Sequence, residues 1–275
     1  MSKLRQDAFK SPVYHIAIIV LLAVGFVSLP TEWLFGLFIK DNLKAKLMGG
    51  TVLRALLCIG AVIAIIKYRF YRAFFSSGGI KAFFAVIPAL VVAVNNFPII
   101  AFSSGNATVT GDSIDVILYI LYCLSVGTFE ELVYCGLVFP LCTYIYREKK
   151  YGAVFAVATT AAVFSLSHLI NLFGGAGIGA TIMQVGYSFL IGATCAIALC
   201  VTKNVFTAIV IHSVYDIGGL ILSNVGIACG SQWDNVTVIL TAVIAVLVAV
   251  YMVIIIIKID FSKVKDLYLK EEVLD

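Results

Sequence analysis

Five polar side chains interrupt long apolar runs, and together they could do acid–base chemistry. Glu130 and Glu131 are adjacent in Gly127-Thr-Phe-Glu-Glu-Leu-Val-Tyr-Cys135, His168 closes Phe164-Ser-Leu-Ser-His168, and His212 and Asp216 frame His-Ser-Val-Tyr-Asp. A charged side chain at the centre of a bilayer costs about 2.5–3.5 kcal/mol on insertion scales, so two carboxylates in succession ask for a functional account. A carboxylate in a dry pocket can take a proton from water and later return it. A histidine can orient that water or donate to a developing oxyanion. Two histidines and a glutamate are also a catalytic zinc set, which here would be Glu131, His168 and His212. At the level of residue types, hydrolysis without a metal and hydrolysis assisted by Zn2+ are both open.

Spacing converts these residues into geometry. His212 and Asp216 stand four apart and share one helix face, as do Glu131 with Cys135 and Glu130 with Tyr134. Neighbours on a helix point about 100° apart, so Glu130 and Glu131 face different directions. Each residue alone has an ordinary reading. A histidine within a membrane helix can simply hydrogen-bond to a neighbouring helix, and Asp216 can be no more than the partner of His212. Arg54 can extend its guanidinium towards the outer interface. Asn95-Asn96-Phe-Pro98 reads as a helix distortion held by amide hydrogen bonds. The glutamate pair resists such an account, and the set is stronger than its members.

The elements that must position these groups are membrane helices. Of 275 residues, 62% are hydrophobic and 12% charged, against about 25% charged in a soluble chain. The expected fold is therefore all-α, a polytopic bundle forming one integral membrane domain over 1–275. About eight apolar segments approach the ~20 residues a spanning helix needs: 13–38, 47–66, 81–102, 114–146, 152–173, 178–201, 204–222 and 236–257. The fourth is too long for one straight span, and a break near Gly127 is expected. Lys3, Arg5 and Lys10, then Lys67, Arg69, Arg72 and Lys81, then Arg147, Lys149 and Lys150, then Lys203, and finally Lys258, Lys263, Lys265 and Lys270 fall on one side. The other side has only Lys40, Lys44 and Lys46, so both termini are expected to be cytoplasmic. The net charge of +4 follows this topology and marks no nucleic-acid face. The seven cysteines are scattered without a C-x-x-C pair and read as buried thiols.

Glu-Glu, then Phe-x-x-x-His, then His-x-x-x-Asp, in order on successive membrane segments, resembles the CPBP family. These are the CAAX prenyl protease and bacteriocin-processing intramembrane proteases, also called the Abi family. The resemblance covers about residues 114–220. It implies an eight-helix bundle with a cavity open to membrane and water. It also implies Glu130 as the base that activates water, Glu131 as its partner, His168 as a holder of that water, and His212 as a stabiliser of the oxyanion. Two positions depart from the family's pattern. Its first motif normally ends in arginine where this chain has Cys135, and its third commonly ends in asparagine where this chain has Asp216. Asp216 could fix the tautomer of His212 or ligate a metal beside it. Arg54, in a segment outside the motifs, could supply the cation that Cys135 does not.

The leading expectation is an intramembrane endopeptidase, working in the lipid bilayer on a membrane-associated or prenylated protein or a leader peptide. Its expected setting is a bacterial plasma membrane. A catalytically silent binding or immunity protein on the same fold is a second reading. A proton- or ion-coupled transporter is a third, since buried Glu, His and Asp also mark such pathways.

Overall fold

The computed structural model describes residues 2–229 and 235–270. The chain is a bundle of helices, and the all-α expectation is borne out. Its helices are α1 (Lys3–Lys10), α2 (Pro12–Val27), α3 (Thr31–Gly36), α4 (Asn42–Tyr68), α5 (Arg72–Phe75), α6 (Ile80–Ala85), α7 (Ile87–Asn95) and α8 (Ile99–Ser103). After them come α9 (Ser113–Val133), α10 (Phe139–Ile145), α11 (Gly152–Ser167), α12 (Ile178–Thr202), α13 (Val205–Asn224), α14 (Asn235–Lys258) and α15 (Phe261–Leu269). Among the described residues, seven helices are long and apolar enough to cross a membrane. The third expected segment is the exception. It is split into α6, α7 and α8, with Pro88 in the first turn of α7 and Pro98 before α8. Each proline lacks the N–H a continuous helix would use. Asn96 sits at the second break and donates from Nδ2 to the Tyr215 carbonyl at 2.8 Å, which anchors the broken segment to α13.

The ends of the bundle sort the charges as the loops suggested. At one end α1 and α15 meet: the Arg5 guanidinium donates to the Tyr268 carbonyl. Ser2 there bonds the Lys67 carbonyl at 2.8 Å, and Lys265 bonds that of Arg147 at 3.1 Å. At the other end Lys44, near the start of α4, lies 3.0 Å from Asp112 and 3.6 Å from Asp115, at the start of α9. Asp112 and Asp115 cap α9 reciprocally, each side chain accepting from the other's backbone N–H. The same end carries the only strands among the described residues. Ala107–Val109 (β1) pairs antiparallel with Gly226–Ala228 (β2), tying the loop before α9 to the loop after α13.

α9 does not break at Gly127. It runs through both glutamates, and the irregularity comes after them, as a π-helical turn at Tyr134–Val138. Gly127 serves a different purpose. It is the point where α9 and α13 touch backbone to backbone: a Cβ there would stand 2.9 Å from the Ser213 nitrogen and 3.1 Å from its Cα, with the hydroxyl closer still. This close approach sets His212, one residue before Ser213, against the glutamates.

Candidate active site

α9 presents the two glutamates in different directions, as helical geometry requires. The Glu131 side chain is 4% exposed and points into the core, whereas that of Glu130 is 22% exposed and faces a pocket. The His212 imidazole on α13 lies between them. Its Nδ1 is 2.7 Å from Glu131 Oε1, and its Nε2 is 3.4 Å from Glu130 Oε2 and 3.8 Å from Asp216 Oδ2. One imidazole is thus faced by three carboxylates. A neutral imidazole can donate from one nitrogen only, and an imidazolium from both. The partner that fixes the His212 ring at Nδ1 is Glu131. Asp216, one turn further along α13, approaches only the opposite nitrogen, and at the longest of the three distances.

His168 reaches the site differently. It ends α11, where the helix tightens into a 3₁₀ turn at His168–Leu172. It makes no ion pair with the carboxylates. Its Nδ1 lies 3.1 Å from the Phe164 carbonyl. A carbonyl can only accept, so Nδ1 carries the hydrogen, and Nε2 of the neutral ring is left as an acceptor. The Phe164 ring stands edge-on to both imidazoles, with centroids 4.9 Å from His168 and 5.6 Å from His212. It therefore acts as an apolar partition between them.

Glu130 and His168 line one pocket of about 260 Å³. Ala23, Val24 and Val27 of α2 close one wall, and Arg54, Tyr122, Phe129 and Tyr134 contribute to the others. Several polar residues around it carried no signal in the sequence beyond being polar in an apolar run. Tyr134 donates to Ser167 Oγ at 2.9 Å, and Ser167 in turn to the Phe164 carbonyl at 2.6 Å. Asn171 donates to Gln184 Oε1 at 2.8 Å, which orients the Gln184 amide. Cys135, where the family's pattern has arginine, is 2% exposed and packed in the core. Arg54 lines the pocket but forms no ion pair with either glutamate. Its Nη1 donates to the Gly50 carbonyl at 3.2 Å, and its guanidinium lies 4.9 Å from the Tyr122 ring centroid.

Among the described residues, the cluster with ligating atoms within 4.8 Å of one another is Glu131, Cys195 and His212. His168 is outside it, so the expected set of Glu131, His168 and His212 is not brought together. Two ligands about 2.0–2.1 Å from one tetrahedral zinc lie about 3.3 Å apart. Glu131 Oε1 and His212 Nδ1 are 2.7 Å apart, a hydrogen-bond distance at which both cannot be ligands. That pair of atoms cannot hold zinc together as arranged; Glu131 Oε2, buried without a hydrogen-bond partner, and Cys195 are the donors left at the cluster.

Residues 112–218 match the family described as Rce1-like, type II CAAX prenyl endopeptidase. No curated protein and no solved structure matches the chain. The resemblance drawn from the motifs is borne out. The matched segment, 112–218, includes Glu130, Glu131, His168, His212 and Asp216, and its similarity is to CAAX-type intramembrane endopeptidases, in keeping with the seven helices long and apolar enough to cross a membrane.

Proposed function

We propose that the chain hydrolyses a peptide bond near the C-terminus of a lipid-modified or membrane-associated substrate, using water activated by Glu130. The observation that supports this most is the division of labour between the two glutamates. Glu130 faces the pocket, while Glu131 is buried behind it and bound to His212 at 2.7 Å. Glu130 takes the proton of a water held between its carboxylate and the acceptor Nε2 of His168. The oxygen of that water attacks the substrate carbonyl carbon, and Glu130 returns the proton to the amine as the C–N bond breaks. His212 positions Glu130 from behind through Nε2. Glu131 holds the His212 ring through Nδ1, and Asp216 adds negative charge beside Nε2. Phe164 keeps the water-holding imidazole apart from the positioning one. A prenylated chain end is the substrate that the matched family's description suggests, and the apolar wall that Ala23, Val24 and Val27 give the pocket suits it.

Purified protein in liposomes, given a peptide with a prenylated cysteine close to its C-terminus, tests the proposal. Glu130→Gln keeps size and hydrogen bonding but removes the base, and should lower turnover at least about 10²-fold. Wild-type rates in folded Glu130→Gln would remove Glu130 from the mechanism. The neutral, buried Cys135 in place of the family's arginine favours one other reading, a silent binder on the same fold. Binding of the peptide by the wild type with no cleavage of any prenylated or leader peptide would support it.

A further inference from the structure

The pocket that holds Glu130 and His168 also has an arginine, contributed from outside the matched segment. Arg54 of α4 is the only arginine within a spanning helix among the described residues. Among the described residues no carboxylate lies within 4.0 Å of it, its Nε is buried without a hydrogen-bond partner, and its guanidinium meets a backbone carbonyl and an aromatic face. The seat is built rather than incidental. A Cβ on Gly50 would stand 2.6 Å from the Tyr122 ring and 3.0 Å from Arg54 Nη1, so the glycine makes room for the guanidinium on the ring. A guanidinium stays charged at every accessible pH and is shaped to bind a carboxylate with two parallel hydrogen bonds.

We infer that Arg54 binds the C-terminal carboxylate of the substrate, and that the reach from Arg54 to the Glu130 water sets how far from the chain end the cut falls. The inference rests on the protease reading above. The pocket, at about 260 Å³, is smaller than the about 300 to 1,000 Å³ of typical ligand sites. It suits the last few residues of a chain and not a long internal segment. An extended tail covers about 3.3–3.6 Å per residue, so an anchored carboxylate acts as a ruler. The competing account has Arg54 merely extending towards the interface, in which case the state of the chain end makes no difference.

The test compares one prenylated peptide as free acid and as C-terminal amide, in nanodiscs of neutral lipid. In the wild type, kcat/KM should favour the acid at least about tenfold, the lower bound for a charge-assisted hydrogen bond. Binding to Glu130→Gln protein should show the same preference without any turnover. Arg54→Gln should bring the acid-to-amide ratio close to one in both measurements, and Arg54→Lys should retain part of it. If Arg54→Gln does not fold, Gly50→Ala displaces the guanidinium without removing it and should also reduce the ratio. Equal handling of acid and amide by protein that keeps Arg54 would overturn the inference, and so would an acid preference that survives Arg54→Gln. Oleate in the nanodiscs supplies the same carboxylate from a lipid. If it abolishes the acid preference, Arg54 serves lipid and the inference is lost. An acid preference in binding together with no cleavage by the wild type would sink the protease reading and leave the carboxylate site standing.

Discussion

Gly127→Ala tests whether the touch between α9 and α13 sets the catalytic geometry. The added Cβ would stand 2.9 Å from the Ser213 nitrogen and 3.1 Å from its Cα, against the roughly 3.5–4.0 Å of a comfortable contact. The Ser213 hydroxyl can rotate away, but the backbone atoms cannot, so the helices must separate by about 0.5–1 Å. His212 moves with Ser213. Its 2.7 Å bond to Glu131 would then stretch to or beyond the ~3.2 Å limit of a good N–H···O bond, and its 3.4 Å approach to Glu130, already longer than that, would open further. Overpacking of this kind costs about 1–3 kcal/mol of stability, which the bundle can absorb. A misplacement of about 1 Å can cost about 10²-fold in rate. The expected result is therefore a folded protein with kcat/KM lower by about ten- to a hundredfold. The assay is peptide cleavage in liposomes, normalised to the fraction eluting as folded protein. Gly136→Ala is the control. Its Cβ would press on the terminal methyl of Ile65 at 2.7 Å and has no backbone atom nearer than 3.8 Å, so it does not push α9 from α13 and its rate should stay within a few-fold of wild type. Wild-type turnover in folded Gly127→Ala would refute the idea that this contact positions the site.

Three further changes have definite outcomes. His212→Gln leaves Glu130, Glu131 and Asp216 without their shared imidazole. Removing one partner of a buried ion pair costs about 3–5 kcal/mol, so thermal unfolding in detergent should shift well below wild type, and an unchanged midpoint would show that the bond to Glu131 is weak. Cys135→Arg puts a long charged side chain at a position 2% exposed. It should lower the folded yield rather than raise activity, whereas faster turnover would show that the glutamates lack a cation. At the other end of the bundle, the bond to the Asp115 backbone N–H, and then Lys44, hold the Asp112 carboxyl below its usual range. A folded-state value below the unfolded one means that this contribution is present above about pH 4 and is lost as pH falls through the lower value. Asp112→Asn keeps the helix cap but should remove that part of the acid sensitivity, read as unfolding midpoint against pH between about 5 and 2.

The helices and the charge cluster were legible because the bilayer makes polarity conspicuous. Glu130, Glu131, His212 and Asp216 stand out in apolar runs, and the structure brings those four together. His168 was equally conspicuous, but its route to the pocket depends on the tightened turn ending α11, which no local pattern announces. Gly127 was visible as a glycine yet read as a break, since only the partner helix shows that its missing side chain serves a close contact. The π turn after the glutamates involves ordinary helix-compatible residues. Cys195 and Gln184 become relevant only through neighbours far away in sequence. The split third segment could have been read from Pro88 and Pro98, whose missing N–H groups outweigh the apolar composition around them.

The π turn at Tyr134–Val138 also bears on how the chain can vary. A π turn holds one residue more than the α turn it replaces, so the helix downstream is out of phase with the helix upstream by about 100°. Glu130 and Glu131 are oriented by the upstream phase, while Phe139, Leu141 and Cys142, all buried, follow the downstream one. The surplus residue uncouples the two. Deleting a residue within Tyr134–Val138 would restore a plain α-helix and rotate one half against the other, so that either the carboxylates or the downstream core must turn away. The length of this short stretch is therefore constrained more tightly than the identity of the side chains in it.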